Sequence, residues 1–208
     1  MAVRNRPERY ADATLFLRNI DDDWAQVIDA IGPCTHEPKA AREPYEALIR
    51  AVAYQQLTAK AGDAIIARLC AAAGGAFPTP NDLLLIDDET FRACGFSRTK
   101  TATVQDIARG ATSGLVPGGR QAKHMADEDL IECLTSIKGI GRWTVEMLLM
   151  YSLERADILP ADDFGVRDGY RRLKRLSDKP KPRELRDLSS AWSPYRTVAS
   201  WYLWRVPR

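Results

Sequence analysis

Apolar residues in this chain recur at helical spacing almost throughout, and no stretch keeps a period-two alternation long enough to form a strand. That pattern commits the chain to an all-α architecture. Trp24, Val27, Ile28 and Ile31 share one helical face, with Asp23 placed to cap the helix and Gly32-Pro33 to stop it. Pro44 opens a second helix through Tyr45, Leu48, Ile49 and Val52, and an alanine-rich third covers 59–73, ended by Gly74-Gly75. Shorter amphipathic pieces cover 81–86 and 89–94, and a longer one covers 99–109. After a loop at 114–119, helices are predicted at 127–137, 142–153, 164–176, 183–192 and 195–205. The Pro/Lys stretch 178–182 reads as a loop too short to separate domains, so residues 1–208 are expected to form one domain of two helical lobes.

Composition narrows the class further. The 208 residues are enough for a real core, and the 45% hydrophobic fraction is ordinary for a globular protein. No segment is apolar enough to cross a membrane, and Met1–Pro7 lacks the apolar run of a secretory signal, so a cytoplasmic location is expected, on the nucleoid in a bacterium. With 30 basic and 28 acidic side chains the net charge is +2, which neither argues for nor excludes a nucleic-acid partner, because the charges can segregate onto faces. Cys34, Cys70, Cys94 and Cys133 contain no CxxC pair and read as free thiols, not as a zinc site or disulfide framework.

The segment Leu134-Thr135-Ser136-Ile137-Lys138-Gly139-Ile140-Gly141-Arg142-Trp143-Thr144 is the most informative. One helix ends, a turn holds two glycines around one aliphatic residue, and the next helix starts at once, giving a hairpin over about 127–153. Gly139 and Gly141 permit positive φ and close backbone approach, and Ile140 can plug between the helices. The first N–H groups of the new helix have no intrahelical partner and suit a phosphate oxygen. Lys138 or Arg142 would add charge and Thr144 a hydroxyl. The bland alternative is an ordinary tight αα-turn.

Downstream, Ile158-Leu159-Pro160-Ala161-Asp162-Asp163-Phe164 places two aspartates before an amphipathic helix bearing Val166, Tyr170 and Leu173. Asp163 sits at the N-cap, beside free N–H groups and the positive end of the helix dipole. A carboxylate fixed there can stabilise a positive charge that develops beside it and orient an attacking water. Capping alone is the simpler alternative for the pair.

Hairpin, Gly/Pro loop and aspartate together resemble the helix-hairpin-helix base-excision DNA glycosylases. A longer similarity, to the DNA-3-methyladenine glycosylase II family, covers about 23–205. It is carried by Pro44-Tyr45-Glu46-Ala47-Leu48-Ile49-Arg50-Ala51-Val52-Ala53-Tyr54-Gln55-Gln56-Leu57-Thr58, by Gly95-Phe96-Ser97-Arg98-Thr99-Lys100, by the hairpin and aspartates, and by the block from Pro194 to Arg205. The chain looks like a compact form without the N-terminal β-domain of longer bacterial members. Tyr54 stands where a glycine is expected in many relatives.

This resemblance implies a two-lobed helix-hairpin-helix fold with the active site in the cleft between lobes. It implies a monomer acting on double-stranded DNA that contains alkylated bases. It places the catalytic aspartate on the pair; Asp163 puts Val166 at the buried aliphatic position three residues on, whereas Asp162 would put Gly165 there, so Asp163 is the assignment and Asp162 its neighbour or substitute. Where relatives that also cut the backbone carry a Schiff-base lysine, this chain has Trp143, so water is the expected nucleophile. No cysteine follows Cys133, which argues against the iron–sulfur branch, and the chemistry calls for no metal or organic cofactor.

An aromatic pocket for a cationic purine would draw on Trp143, Tyr54 and Phe164, while Trp24, Trp201 and Trp204 read as core. The resemblance places a stack-filling wedge in the turn Gln55-Gln56-Leu57-Thr58, with Gln56 the wedge and Gln55 on the strand; helix-end amides bonding their own backbone remain an equal reading. Arg98 and Lys100 are expected at phosphates, although a solvated charged turn would look the same. Rival readings are a glycosylase for deaminated or oxidised purines, and a non-catalytic module recognising damaged DNA.

Overall fold

A computed structural model of the chain describes residues 8–39 and 42–207; the Met1–Pro7 segment lies outside the described residues. Among the described residues every regular element is helical. The chain forms two compact units, Met1–Pro38 with Glu154–Arg208, and Lys39–Leu153.

The discontinuous unit holds α1 (Ala11–Arg18), α2 (Asp22–Ile31), α11 (Phe164–Leu173), α12 (Pro182–Leu188) and α13 (Arg196–Leu203), with a 3-10 turn at Ser189–Trp192. The cap of α2 is Asp21, not Asp23: the Asp21 carboxylate accepts from Trp24 N at 3.0 Å, whereas Asp23 lies in the first turn and pairs with Lys174 at 3.0 Å. Helix α1 carries no strong apolar stripe, only Ala13 and Leu17 being buried, which explains why periodicity did not reveal it. The core is aromatic-rich. Trp24 and Trp192 meet edge to face at 5.4 Å, and Tyr170, Val166, Leu173, Leu185, Val198 and Leu203 surround them. Each such fully buried side chain contributes roughly 1.5–3 kcal/mol of transfer free energy. Helices α11 and α13 touch at Gly169, where a Cβ would stand 2.0 Å from the Leu203 carbonyl oxygen. No other residue fits.

The contiguous unit holds α3 (Pro44–Tyr54), α4 (Ala59–Ala72), α5 (Pro80–Leu84), α6 (Asp88–Cys94), α7 (Arg98–Ser113), α8 (Gly119–Ala122), α9 (Asp127–Thr135) and α10 (Arg142–Tyr151). Side-chain caps start four of them: Thr58, Thr79, Asp87 and Ser97 each accept an N–H three residues on. Helix α7 is the longest and packs against α3, α5 and α6 through Val104, Ile107 and Ala108. Its run continues past Arg109 to Ser113 and stops at Gly114, which takes φ +86°. The expected loop 114–119 gives way to the short α8, whose Gly119 N–H is held by the Glu43 carboxylate at 2.7 Å, a tether across 76 positions that no local pattern displays.

Candidate functional site

Asp163 caps α11 as the sequence implies. Its Oδ1 accepts from the Val166 N–H at 2.8 Å and from the Trp204 indole Nε1–H at 2.9 Å. Val166 is fully buried, which seats the helix and fixes the carboxylate above it. Trp204 comes from the C-cap of α13 and is half-buried. Reading it as core alone missed this role; the aromatic block ending in Trp204-Arg205 was the only signal. Gly165 supplies the space: a Cβ there would lie 2.9 Å from Trp204 Cδ1 and 3.1 Å from Asp163 Oδ1. Asp162 is exposed and pairs with Arg186 at 2.9 Å.

In the other unit α9 and α10 form the hairpin. Ile140 is buried, as a plug requires. Gly139 takes φ +91° and lies so close to α7 that a Cβ would meet Thr103 Oγ1 at 2.4 Å. Gly141 differs from expectation: it is the N-cap of α10 at φ −95°, with nothing within 4 Å of a would-be Cβ. Its backbone is ordinary. Lys138 and Gly139 are exposed at the turn.

A cavity of about 480 Å³ opens in the same unit, lined by Trp143, Tyr54, Tyr151, Met147, Arg42 and Arg50 among others. Trp143, in the first turn of α10, is 44% exposed and lines the cavity. Tyr54 closes α3 with its hydroxyl bonded to Asp63 and its ring filling the space above Gly62, where a Cβ would sit 2.4 Å from Cδ1. Burial and the Asp63 carboxylate raise the Tyr54 pKa, so the phenol stays a neutral donor. Gln55 and Gln56 lie on the rim, and Gln56 adopts φ +60°, uncommon for a non-glycine residue.

The HhH-GPD superfamily model, described as base excision DNA repair protein, matches residues 49–194, which span the α3 turn, the hairpin and the aspartates. The chain belongs to the HhH-GPD superfamily. DNA-3-methyladenine glycosylase 1 of Schizosaccharomyces pombe is 44% identical over 200 residues, covering 94% of this chain and 87% of that one. The solved structure of the 3-methyladenine DNA glycosylase of that yeast, in complex with abasic DNA, superposes with TM-score 0.83 at 45% identity over 94% of this chain and 96% of the other. A DNA-3-methyladenine glycosidase structure from Bacillus halodurans also gives TM-score 0.83, at 32% identity over 94% and 88% of the two chains.

Within this HhH-GPD chain several residues expected at DNA are engaged elsewhere. Lys100 points at main-chain carbonyls, donating to Ala53 O at 3.1 Å and Gln55 O at 2.8 Å. Arg142 is held by carboxylates on both sides: Nε donates to Glu146 at 3.0 Å, and the two terminal nitrogens to Glu128 at 2.9 and 2.5 Å. Glu146 is almost wholly buried, a cost that the guanidinium helps to offset. Thr144 is 4% exposed and lines the cavity. Thr58 spends its hydroxyl on capping α4 at 3.3 Å. Phe164 is 64% exposed in the discontinuous unit, with the Lys179 ammonium 4.1 Å over its ring and Asp168, Arg171 and Arg172 beside it; the ring already faces a cation. Arg98 remains exposed at the start of α7. The four cysteines are free, and burial pushes the Cys34 thiol up to about 11. No described helix is long and apolar enough to cross a membrane.

Proposed function

We propose that this HhH-GPD protein, a DNA glycosylase, hydrolyses the N-glycosidic bond of alkylated purines in duplex DNA with water as the nucleophile. The observation that carries the reading is the Asp163 carboxylate, fixed through one oxygen by the Val166 amide and the Trp204 indole.

Alkylation at N3 or N7 makes the purine cationic and a good leaving group. As C1′–N breaks, the bonding pair leaves with the base and the deoxyribose turns electron-poor. A preorganised carboxylate lowers that barrier electrostatically. Water then bonds to C1′ and passes a proton to the Asp163 carboxylate, which returns it to solvent, leaving free base and an abasic site. The yeast relative was solved with abasic DNA, the product such a reaction would give. Trp143 supports the absence of a lyase step, since an indole forms no imine with the sugar. Trp143 and Tyr54 offer ring faces to a cationic base, worth roughly 0.5–2 kcal/mol per contact. Lys138, Gly139, Gly141 and Arg98 would hold phosphates, and Gln56 would fill the space of the extruded base with Gln55 beside it. Such a substrate puts the protein's work at the genome, in the cytoplasm or on the nucleoid of a bacterial cell.

Asp163→Asn, assayed on methylated duplex, is expected to lower base release by at least about a hundredfold while duplex affinity holds or rises. Unchanged turnover would transfer the role to Asp162, and an active Asp162→Asn/Asp163→Asn double variant would end the assignment of the chemistry to either carboxylate. Borohydride is expected to trap no protein–DNA adduct; a trapped adduct refutes water as the nucleophile.

A further inference from the structure

Helix α7 carries a cation that serves the fold's own carbonyl groups. Lys100 lies in its first turn and reaches two acceptors at the end of α3, the Ala53 and Gln55 oxygens. A helix C-terminus leaves its last carbonyls unpaired and gathers the negative end of the dipole, so an ammonium is favoured there twice over. Burial lowers the Lys100 pKa from its ordinary value, as for an amine withdrawn from water.

The segment so gripped is the turn that leads from α3 to α4. Its Gln56 holds φ +60°, a conformation that is strained for a non-glycine residue and persists only where neighbours over-determine it. Gln55 is engaged a second time, its Nε2 donating to the Gly139 carbonyl in the hairpin at 3.4 Å. Gly139 in turn rests on Thr103, one turn beyond Lys100 on α7, whose hydroxyl donates back to Thr99 O at 3.1 Å. Two successive turns of one helix therefore support both the Gln55-Gln56 turn and the hairpin.

The geometry points to Lys100 as a positioning residue for base extrusion: it holds Gln56 in its left-handed conformation, at a set offset from the hairpin, before DNA arrives. The inference rests on the reading of Gln56 as the side chain that enters the stack. A segment already in its inserted shape loses less conformational freedom on insertion, so less binding energy is diverted to ordering it. Lys100 touches neither base nor sugar in this scheme and acts through Gln56.

The test is single-turnover excision of 7-methylguanine from two duplexes, one with the lesion opposite cytosine and one with it opposite an abasic site, where less stacking and pairing must be broken. Lys100→Met is expected to slow the paired lesion roughly ten- to a hundredfold, the loss of charge-assisted hydrogen bonds. It should slow the lesion opposite the abasic site by less than about threefold. Lys100→Arg, which keeps charge and donors, should recover most of the rate. Gln56→Ala should show the same split between substrates, and the double variant should be no worse than Gln56→Ala alone. Equal slowing on both substrates, or none on either, overturns the inference. A split in Gln56→Ala but not in Lys100→Met removes the inference alone. Absence of a split in Gln56→Ala removes the wedge assignment beneath it. Should Lys100→Met not fold, Lys100→Gln is read by the same criteria.

Discussion

Trp204 donates its indole Nε1–H to Oδ1 of Asp163 at 2.9 Å, across 41 positions of sequence, and shares that oxygen with the Val166 amide. Both donors lie in one packed unit, so the carboxylate is oriented by covalent neighbours on one side and by tertiary structure on the other. Trp204→Phe keeps the ring and removes one donor. Base release is expected to fall about tenfold with duplex affinity within about twofold, a loss of the size expected for a hydrogen bond to a charged group. An unchanged single-turnover rate would show that the indole only packs.

Gly165→Ala separates orientation from stability. Gly165 lies in the first turn of α11, where alanine's helix preference over glycine, at most about 1 kcal/mol, works against the cost of the crowded methyl, so melting should change little. The new methyl would press on Trp204 Cδ1 and Asp163 Oδ1, and excision should drop at least as far as in Trp204→Phe. Gly169→Ala, by contrast, drives a Cβ into the Leu203 carbonyl, and should cost roughly 3 kcal/mol or more in a denaturant melt.

Asp157 predicts an acid-dependent term in stability. Burial alone would raise its carboxyl, but hydrogen bonds from Arg196 and Ser193 outweigh that and hold it below the ordinary carboxylate range. A depressed folded-state pKa gives stability that is present above the unfolded value, about 3.9 for Asp, and lost as pH falls through the folded value. Asp157→Asn should therefore destabilise the protein at neutral pH, and the gap to the parent chain should close on acidification below about pH 4. A pH-independent gap would assign the effect to packing.

Gly139→Ala tests the hairpin. Its positive φ and the Thr103 hydroxyl both oppose a side chain, so duplex binding should weaken about tenfold or more at fixed salt. Thr103→Ala in the same chain should restore part of the affinity by opening space, while the φ penalty persists. No loss in Gly139→Ala would detach the hairpin from DNA binding.

The helices were legible because their apolar stripes are local facts. So was the Asp163 cap, since an N-cap needs only the residue and the helix that follows. What escaped depends on distant partners. Asp21 and Asp23 are both plausible caps by type, and Lys174 pairs with both, at 2.6 and 3.0 Å; the backbone enters the helix at Asp22, which leaves the cap to Asp21. Lys100 and Arg142 looked like phosphate ligands because their charge is visible in sequence and their partners, α3 carbonyls and two glutamates, are not. Thr144 is buried by its helical phase, which its residue type does not display. Trp204 seemed only apolar; an indole's single N–H matters when a carboxylate stands opposite it.

The chain order of the two units has a consequence for how the protein is made. Residues 39–153 are contiguous and can close while a ribosome is still supplying the remainder. The unit bearing Asp163 must keep its first helices waiting, with Trp24 uncovered, until Trp192 and Val198 have been translated. The acid therefore acquires its indole partner late, and a nascent chain stalled before α13 would present a finished hairpin without an oriented carboxylate.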